Sequence, residues 1–382
     1  MKRTGLLIAA LGLFLFAGVA QADWRPAKRL TWTAGYSREP EVAVDGSWVH
    51  VVWQDDTTGQ NEIYYKKSTD GGATWSPTQR LTWTSGNSEY PAIAIDSSGY
   101  LHAVWDDATT GSYALYHKMS TDGGNTWQAN KRLTLNSGGS FCPSLAAGPS
   151  NRLHLAWQDY NSGNGEIYYM RSTDGGATWT TSQRLTWNSG SSGYPSIGVG
   201  SSNNIHIIWE DDTPGNYEVY YKKSTDGGAT WATSQRLSST SGWSSYPVLA
   251  VGPFGNLHVV WGDGTPGNYE IYYRKGSNGG DSWAASRRLT WTSGISDNTS
   301  IAADSSGNVH VVWNDNTPGN NEISYKNSTD QGATWAATQR LTWNAGSSES
   351  PRIVIDPSAN LHVVWSDSTP GKHDIYYKKF SK

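Results

Sequence analysis

The sequence predicts an all-β protein, a seven-bladed β-propeller whose blades are four-stranded antiparallel sheets. Two observations carry this prediction: a 52-residue period that recurs seven times, and four short β-rich segments in each period. A third observation predicts closure of the ring. The last unit lacks its fourth strand, and the segment that matches this strand lies near the N-terminus.

Two residue types keep the period without a gap. Seven histidines lie 52 residues apart, and a tryptophan follows each of them after three residues. The histidines are His50, His102, His154, His206, His258, His310 and His362. Equivalent positions around a ring are too far apart to share one ion, so we expect structural hydrogen bonds for these histidines and no metal site.

The strands within a unit are separated by clusters of Gly, Pro, Ser and Asn. In the second unit they are predicted at residues 92–96, 101–107, 113–119 and 125–134. Runs such as LHVVW at 257–261 are apolar on both faces, which is typical of a sheet covered on both sides. Stacking of blades around an axis provides that cover and leaves only short edges.

Closure follows from the two ends of the repeat. The seventh unit stops after Lys379 with three strands, whereas residues 24–32 match residues 75–83, the fourth strand of the first unit. We expect the N-terminal segment to complete the last blade. An open solenoid would need polar capping units, and none is visible.

The N-terminal 22 residues read as an export signal: Lys2 and Arg3, an apolar stretch at 6–20, and an Ala-Gln-Ala cleavage site at 20–22. We therefore expect residues 23–382 to form a single propeller domain that is secreted or periplasmic. The apolar stretch is too short for a membrane span. Loss of the leader removes two positive charges from a net −4 and leaves −6, which disfavours a nucleic-acid partner. The single cysteine, Cys142, excludes an internal disulfide.

A turn motif recurs between the third and fourth strands. Residues 68–75 read STDGGATW, in which Asp accepts backbone N–H groups across a tight turn, Gly supplies positive φ and Trp anchors the returning strand. Its acidic and aromatic positions are Asp70 and Trp75, Asp122 and Trp127, Asp174 and Trp179, Asp226 and Trp231, Asn278 and Trp283, and Asp330 and Trp335. Asn278 marks a drifted copy. We interpret the motif first as a folding device.

The motif resembles the Asp-box, S-x-D-x-G-x-T-W, of the bacterial neuraminidase repeat (BNR) sialidase-like β-propeller superfamily, over essentially the whole mature chain. The resemblance implies a propeller, while its members include sialidases, glucan-cleaving enzymes and proteins without catalysis. A sialidase would bring six blades and an arginine triad. Here the repeated arginines ring the outside, and only Arg38 and Arg352 precede inner strands.

Antiparallel order places two sets of loops together on one face, here called the upper face, with the Asp-boxes on the opposite face. Aromatic residues beside Asp, Asn and Glu in these loops are suited to stack on sugar rings and to bind their hydroxyls. The candidate ligand-binding residues are Trp83, Glu89, Tyr90, Asp107, Trp187, Tyr194, Asp211, Asp212 and Tyr246. The alternative for each loop is structural: Asp and Asn cap turns, and Trp covers a blade edge.

These observations favour a non-catalytic binding or scaffold propeller without a cofactor, which recognises a glycan or another extracellular partner, such as a protein, multivalently through its upper-face loops. A monomer is the default. Carboxylates such as Asp55 and Asp263 leave a sialidase-like glycoside hydrolase as the alternative, which requires two carboxyls in unlike environments. A structural role in an envelope or extracellular assembly is the third. Because the units differ so little, we expect no single pocket to dominate.

Overall fold

The computed structural model describes residues 23–135, 138–200 and 202–382 as seven four-stranded antiparallel sheets arranged as propeller blades. The predicted export signal lies outside these residues. We number the blades by chain order, so that blade 1 begins at Ser37 and blade 7 at Ser348. Within the described residues, no helix is long and apolar enough to cross a membrane.

Each blade runs outward from the propeller axis, strand by strand. The first strands are Ser37–Asp45, Ser88–Ile95, Ser140–Gly148, Ser192–Val199, Ser244–Val251, Ser296–Ala303 and Ser348–Ile355. The second strands are Trp48–Asp55, Leu101–Asp107, Arg152–Asp159, Ile205–Asp211, Leu257–Asp263, Val309–Asp315 and Leu361–Asp367. The third strands are Glu62–Ser68, Ala114–Ser120, Glu166–Ser172, Glu218–Ser224, Glu270–Ser277, Glu322–Ser328 and Asp374–Ser381.

The fourth strands are short. They are Gln79–Arg80, Lys131–Arg132, Gln183–Arg184, Gln235–Arg236, Arg287–Arg288 and Gln339–Arg340, with an additional strand Ser282–Trp283 in blade 5. In blade 2 the fourth strand was predicted at 125–134, and only Lys131–Arg132 is strand. The residues before it form the Asp-box turn, with isolated contacts such as Gln128 N–H to the Met119 carbonyl at 2.8 Å. Two 3-10 turns, Pro253–Gly255 and Asn278–Gly280, interrupt the all-β pattern.

The core lies between neighbouring blades. Every residue of the second strand Leu257–Asp263 is buried, which agrees with its unbroken apolar sequence. The second-strand tryptophans are the largest fully buried side chains. At the junction of blades 7 and 1, Trp53 packs in one cluster with Val364 and Ile375. Each blade therefore buries its two faces on its neighbours.

The N-terminal segment completes blade 7, as predicted. Lys28–Arg29 pairs antiparallel with Tyr376 and Tyr377 of the third strand, and Asp23–Trp24 pairs with its end. Leu30 is buried, and its N–H donates to the Ile375 carbonyl at 2.7 Å. The closure is therefore built from the same contacts as every other blade.

The periodic histidines form structural hydrogen bonds, as predicted. In blade 1, His50 Nδ1 lies 2.6 Å from the hydroxyl oxygen of Tyr65, and burial lowers the His50 pKa to about 4. A tyrosine of the third strand plays this part in six blades, and His117 replaces it in blade 2, where its Nε2 lies 3.1 Å from His102 Nδ1. No group of three potential metal ligands occurs among the described residues.

The Asp-box turns are closed by their own side chains. Asp70 accepts the Thr74 backbone N–H at 2.8 Å and the Thr74 hydroxyl at 2.6 Å. Gly72 has a φ of +85°, and a Cβ there would lie 2.1 Å from the hydroxyl oxygen of Tyr377. Trp75 packs edge-on against the same tyrosine at 5.0 Å. The motif of blade 1 thus packs against blade 7, which supports its interpretation as a folding device.

Candidate functional site

The first strand of every blade is bulged where it enters the sheet from the upper face. In blade 2 the register shifts between Glu89 and Ala92, and Tyr90 in the bulge has a φ of 48° before Pro91. The equivalent residues with positive φ are Glu39, Cys142, Tyr194, Tyr246, Asn298 and Ser350. Positive φ is unfavourable for non-glycine residues, at roughly 1–3 kcal/mol each, so the surrounding sheet must hold it.

The bulges surround a cavity of about 440 Å³ on the propeller axis. Its wall contains all seven bulge regions, and the residue type changes from blade to blade. The sequence-based expectation that no single pocket dominates did not foresee a space shared by all seven blades. Seven equivalent positions converge on one space, and their sequence differences make that space asymmetric.

Three of the predicted ligand residues come together in this cavity. Tyr90, Tyr194 and Tyr246 line it and are 37–45% exposed. Tyr194 and Tyr246 meet edge-to-face with ring centroids 4.7 Å apart. Glu89 lies nearby, where it accepts the Tyr113 hydroxyl at 2.7 Å, and is thus already engaged.

Buried carboxyls lie directly behind the cavity wall. Asp106 accepts the Cys142 backbone N–H at 3.2 Å, and Glu210 accepts that of Tyr246 at 2.8 Å. At the equivalent position Gln54 accepts the backbone N–H of Tyr90 at 2.9 Å through an uncharged side chain. Burial raises the pKa of Asp106 well above its usual range and that of Glu210 to about 7. Sequence reasoning missed both residues, because their position carries no repeated residue type.

The acidic candidates Asp107 and Asp211 lie inside the blades. Asp107 is 1% exposed and accepts the Ser88 hydroxyl at 2.7 Å and the Thr109 N–H at 2.8 Å. Asp211 is fully buried in the equivalent place and accepts the Ser192 hydroxyl at 2.7 Å. Both have the turn-capping role that was the alternative interpretation, so we do not retain them as ligand-binding residues. Asp212 is partly exposed, and its Oδ1 accepts the Ser191 N–H at 2.6 Å.

Trp83 and Trp187 lie away from the axis, in the loops that follow the fourth strands. They belong to a set of five equivalent, exposed tryptophans at blade junctions, which we call the tryptophan platforms. The platforms are Trp32, Trp83, Trp187, Trp291 and Trp343, each 66–69% exposed. Trp48 and Trp243 are also exposed, by 37% and 56%, but lie at different positions.

Each platform is held by two cations, one from each adjoining blade. At Trp83, the Arg80 guanidinium lies 5.7 Å from the ring centroid and the Lys118 ammonium 5.6 Å. The same pairs occur at the other four platforms, at 5.5–5.9 Å. Lys118 is 8% exposed and donates to the Leu81 carbonyl of the preceding blade. A buried cation beneath a two-thirds exposed ring leaves the outer face of the ring open.

The arginine of each platform is also a potential hydrogen-bond donor to a ligand. Arg80 Nη2 pairs with the buried carboxylate of Glu62 at 2.6 Å, and its Nε donates to the Thr82 carbonyl at 2.6 Å. Among the described residues, Nη1 has no protein acceptor. The side chain is 23% exposed, so an aromatic face and a free N–H donor occur together at one junction. Six of the seven repeated arginines pair with a carboxylate of their own blade, and Arg132 Nε donates to the Thr134 carbonyl of its own blade. These arginines therefore do not converge, as the sequence predicted.

Two of the seven junctions lack a platform, and both of their key positions differ. Between blades 2 and 3 the tryptophan is replaced by Leu135 and the lysine by Met170. Between blades 4 and 5 they are replaced by Ser239 and Arg274. The tryptophan and the lysine are therefore present together at five junctions and absent together at two.

The closed ring and the repeated turn define an Asp-box β-propeller. The sequence profile of the BNR repeat-like domain matches residues 43–259, more than half of the chain, and the chain belongs to this family. It has no detectable relative among curated proteins.

Solved structures share the fold at low sequence identity. An ulvan lyase, a polysaccharide lyase, has a TM-score of 0.69 and 13% identity, over 92% of this chain and 95% of the lyase. The α-L-arabinofuranosidase from Fusarium graminearum has a TM-score of 0.57 and 16% identity, over 76% and 92%. The NanB sialidase from Streptococcus pneumoniae has a TM-score of 0.51 and 14% identity, over 94% and 70%. These similarities show that the chain shares the propeller fold of these three proteins.

Proposed function

We propose that the protein is a non-catalytic glycan-binding propeller that acts outside the cytoplasm and engages extended carbohydrate through its five tryptophan platforms. The observation that carries the proposal is the recurrence of one open tryptophan face, backed by two cations, at five of seven junctions. Five weak, equivalent sites give avidity on a repeating polymer without further contacts.

The chemistry of a platform suits a neutral sugar ring. The apolar face of a pyranose stacks on an open indole, and a guanidinium N–H donates to its hydroxyls. The cations themselves are engaged in the protein: Lys118 with the Leu81 carbonyl, and Arg80 with Glu62. We therefore assign the platforms to uncharged stretches of polysaccharide rather than to acidic groups.

Replacement of the platform tryptophans distinguishes a packing role from a binding role. If they served packing, their loss would lower the melting temperature and leave glycan binding unchanged. A ring that is two-thirds exposed buries little surface, so its removal costs little stability. If the tryptophans serve binding, their loss removes binding and leaves the melting temperature nearly unchanged.

The test is a glycan array probed with the labelled protein and with a variant in which all five platform tryptophans are replaced by alanine. Wild type is expected to bind a family of neutral oligosaccharides, and the fivefold variant to lose at least about a hundredfold in apparent affinity. Trp243→Ala removes an exposed tryptophan that lies outside the platforms, and it serves as the matched control with unchanged binding. Equal binding by the fivefold variant would refute the assignment.

Hydrolysis is the competing function, because the arabinofuranosidase and sialidase neighbours are glycan-cleaving enzymes. A glycoside hydrolase needs two carboxyls of unlike pKa at one bond. Glu210, with its raised pKa, lies behind the wall rather than on the cavity surface. Of the carboxyls that line the cavity, Glu41 has a pKa raised by burial, and it is held in an ion pair with Arg352. Turnover of a fluorogenic sialoside, arabinofuranoside or glucan by the purified protein would overturn the non-catalytic assignment.

The proposed location outside the cytoplasm rests on the N-terminal sequence alone. N-terminal sequencing of the protein recovered from its producing cell is expected to begin at Asp23. An unprocessed N-terminus in the cytoplasmic fraction would contradict it.

A further inference from the structure

The axial cavity has a chemistry opposite to that of the platforms. Going around the ring, Tyr90, Tyr194 and Tyr246 form one side, and Glu349, Glu39 and Glu41 of blades 7 and 1 form the other. An aromatic wall thus faces an acidic wall across a space of about 440 Å³, within the range of ordinary ligand sites.

The acidic wall carries more negative charge than its single arginine neutralises. Among the described residues that line the cavity, Arg352 is the only cation, and its Nε donates to Glu41 in an ion pair. Glu39 accepts the Ser350 hydroxyl at 3.1 Å, and Glu349 accepts the side-chain amide of Asn321 at 2.9 Å. Among the described residues, neither Glu39 nor Glu349 has an ion-pair partner.

The aromatic wall adjoins this charge at Tyr90. Burial raises the pKa of the Tyr90 hydroxyl, and the nearby charge of Glu39 raises it further. A carboxylate or sulfate placed in the cavity would meet the like charge of Glu39 and Glu349, whereas a cation would meet two carboxylates that have no ion-pair partner among the described residues.

We propose that the axial cavity binds a small organic cation: a protonated amine on a ring-sized body, with its ammonium at Glu39 and Glu349 and its body against Tyr194 and Tyr246. In this arrangement carboxylate hydrogen bonds act on the ammonium group, and the tyrosine rings pack against the body of the ligand. One molecule binds per propeller, because there is one axis. The site is independent of the platforms.

Three ligands of the same ring size test the proposal: cyclohexylamine, cyclohexanol and cyclohexanecarboxylate, titrated into the full mature chain by calorimetry at pH 7. The amine is expected to bind at least about tenfold more tightly than the alcohol, and the carboxylate not to bind. Glucosamine set against glucose in the same assay distinguishes an amino sugar from an apolar amine as the source. Carboxylate binding equal to that of the amine, or no binding by the amine at 10 mM, on the order of the weakest useful affinity, would overturn the proposal.

Two substitutions locate the site. Glu39→Gln and Glu349→Gln, each of which keeps a hydrogen-bonding side chain, are expected to weaken amine binding about tenfold or more. Asp281→Asn makes the same charge change at an exposed residue far along the chain and is the control, with unchanged affinity. Melting temperatures verify folding of each variant. Unchanged affinity in both glutamine variants would exclude the acidic wall.

The fivefold tryptophan variant separates this proposal from the proposed function. It retains all of the cavity residues, so its amine affinity is expected to equal that of wild type even when glycan binding is lost. Parallel loss of both would show that the two sites are not distinct.

Discussion

The blade junctions and the propeller axis are both built from seven repeats, but repetition has opposite results in the two places. At a junction only two blades meet, so a platform such as Trp83 with Lys118 is complete in itself and is repeated. On the axis all seven blades meet, and the bulge residue differs from Glu39 to Tyr90 to Cys142. Identical residues suit many separate sites, whereas one shared site needs different residues.

Both kinds of site require a closed ring. Opening the ring is therefore the change with the largest predicted effect. Deletion of residues 23–34 removes the fourth strand of blade 7, the buried Leu30 and the Arg29–Asp374 ion pair, and exposes Ile375. We expect no folded monomer in gel filtration and no cooperative thermal transition.

A milder variant keeps the closure prediction measurable. Leu30→Ala is expected to lower the free energy of unfolding by about 2–5 kcal/mol, as is Leu81→Ala, its equivalent in blade 1. Urea unfolding measures both. A deletion variant as stable as wild type, or a much smaller loss for Leu30→Ala than for Leu81→Ala, would contradict closure by the N-terminal strand.

A second prediction concerns the charged surroundings of the axis. The Glu210 pKa is raised in the folded protein to about 7 from 4.5, so the folded state holds its proton longer than the unfolded state does. The contribution of Glu210 to stability therefore falls as pH rises from about 4.5 to about 7. Glu210→Gln is expected to be about 3 kcal/mol more stable than wild type at pH 8 and equal to it at pH 4.5.

Gln54 provides the matched control for this prediction. It makes the same hydrogen bond to Tyr90 as Glu210 makes to Tyr246, but without charge. Gln54→Glu should therefore introduce a loss of stability at high pH. Urea unfolding at the two pH values measures the free energy of unfolding of both variants. If the stability difference between Glu210→Gln and wild type does not change with pH, the raised pKa of Glu210 is not its cause.

The smallest effect is a gain of binding at a junction that lacks a platform. Between blades 2 and 3, Leu135→Trp with Met170→Lys restores both missing residues beside the existing Arg132. We expect a few-fold increase in apparent affinity for the array-selected glycan. Leu135→Trp alone is the control, and a double variant no tighter than wild type would argue against the platform as a self-contained unit.

Most of the fold could be predicted from the sequence, because residues that pack in the same way in every blade recur with the 52-residue period. The missing strand at Lys379 and its match at residues 24–32 predicted the closure that the pairing of Lys28 with Tyr377 confirms. Trp83 and Trp187, which the sequence placed in loops, are exposed, since their positions fit neither the strand nor the turn pattern.

The axial site was not predicted, for a physical reason. Periodicity shows which positions are equivalent, but not which equivalent positions face one another across the axis. The sequence shows that Tyr90 and Cys142 occupy equivalent positions with different residue types. It does not show that the strand bulges bring both residues to one cavity. Residue type alone also could not separate Asp107, which caps a turn, from Glu39, which lines the cavity.

Native mass spectrometry with an array-selected neutral oligosaccharide is the most direct test of the contrast between junctions and axis. The account predicts that wild type binds up to five molecules, and that the variant lacking all five platform tryptophans binds none. A maximum of one bound molecule, or the same number in both proteins, would contradict it.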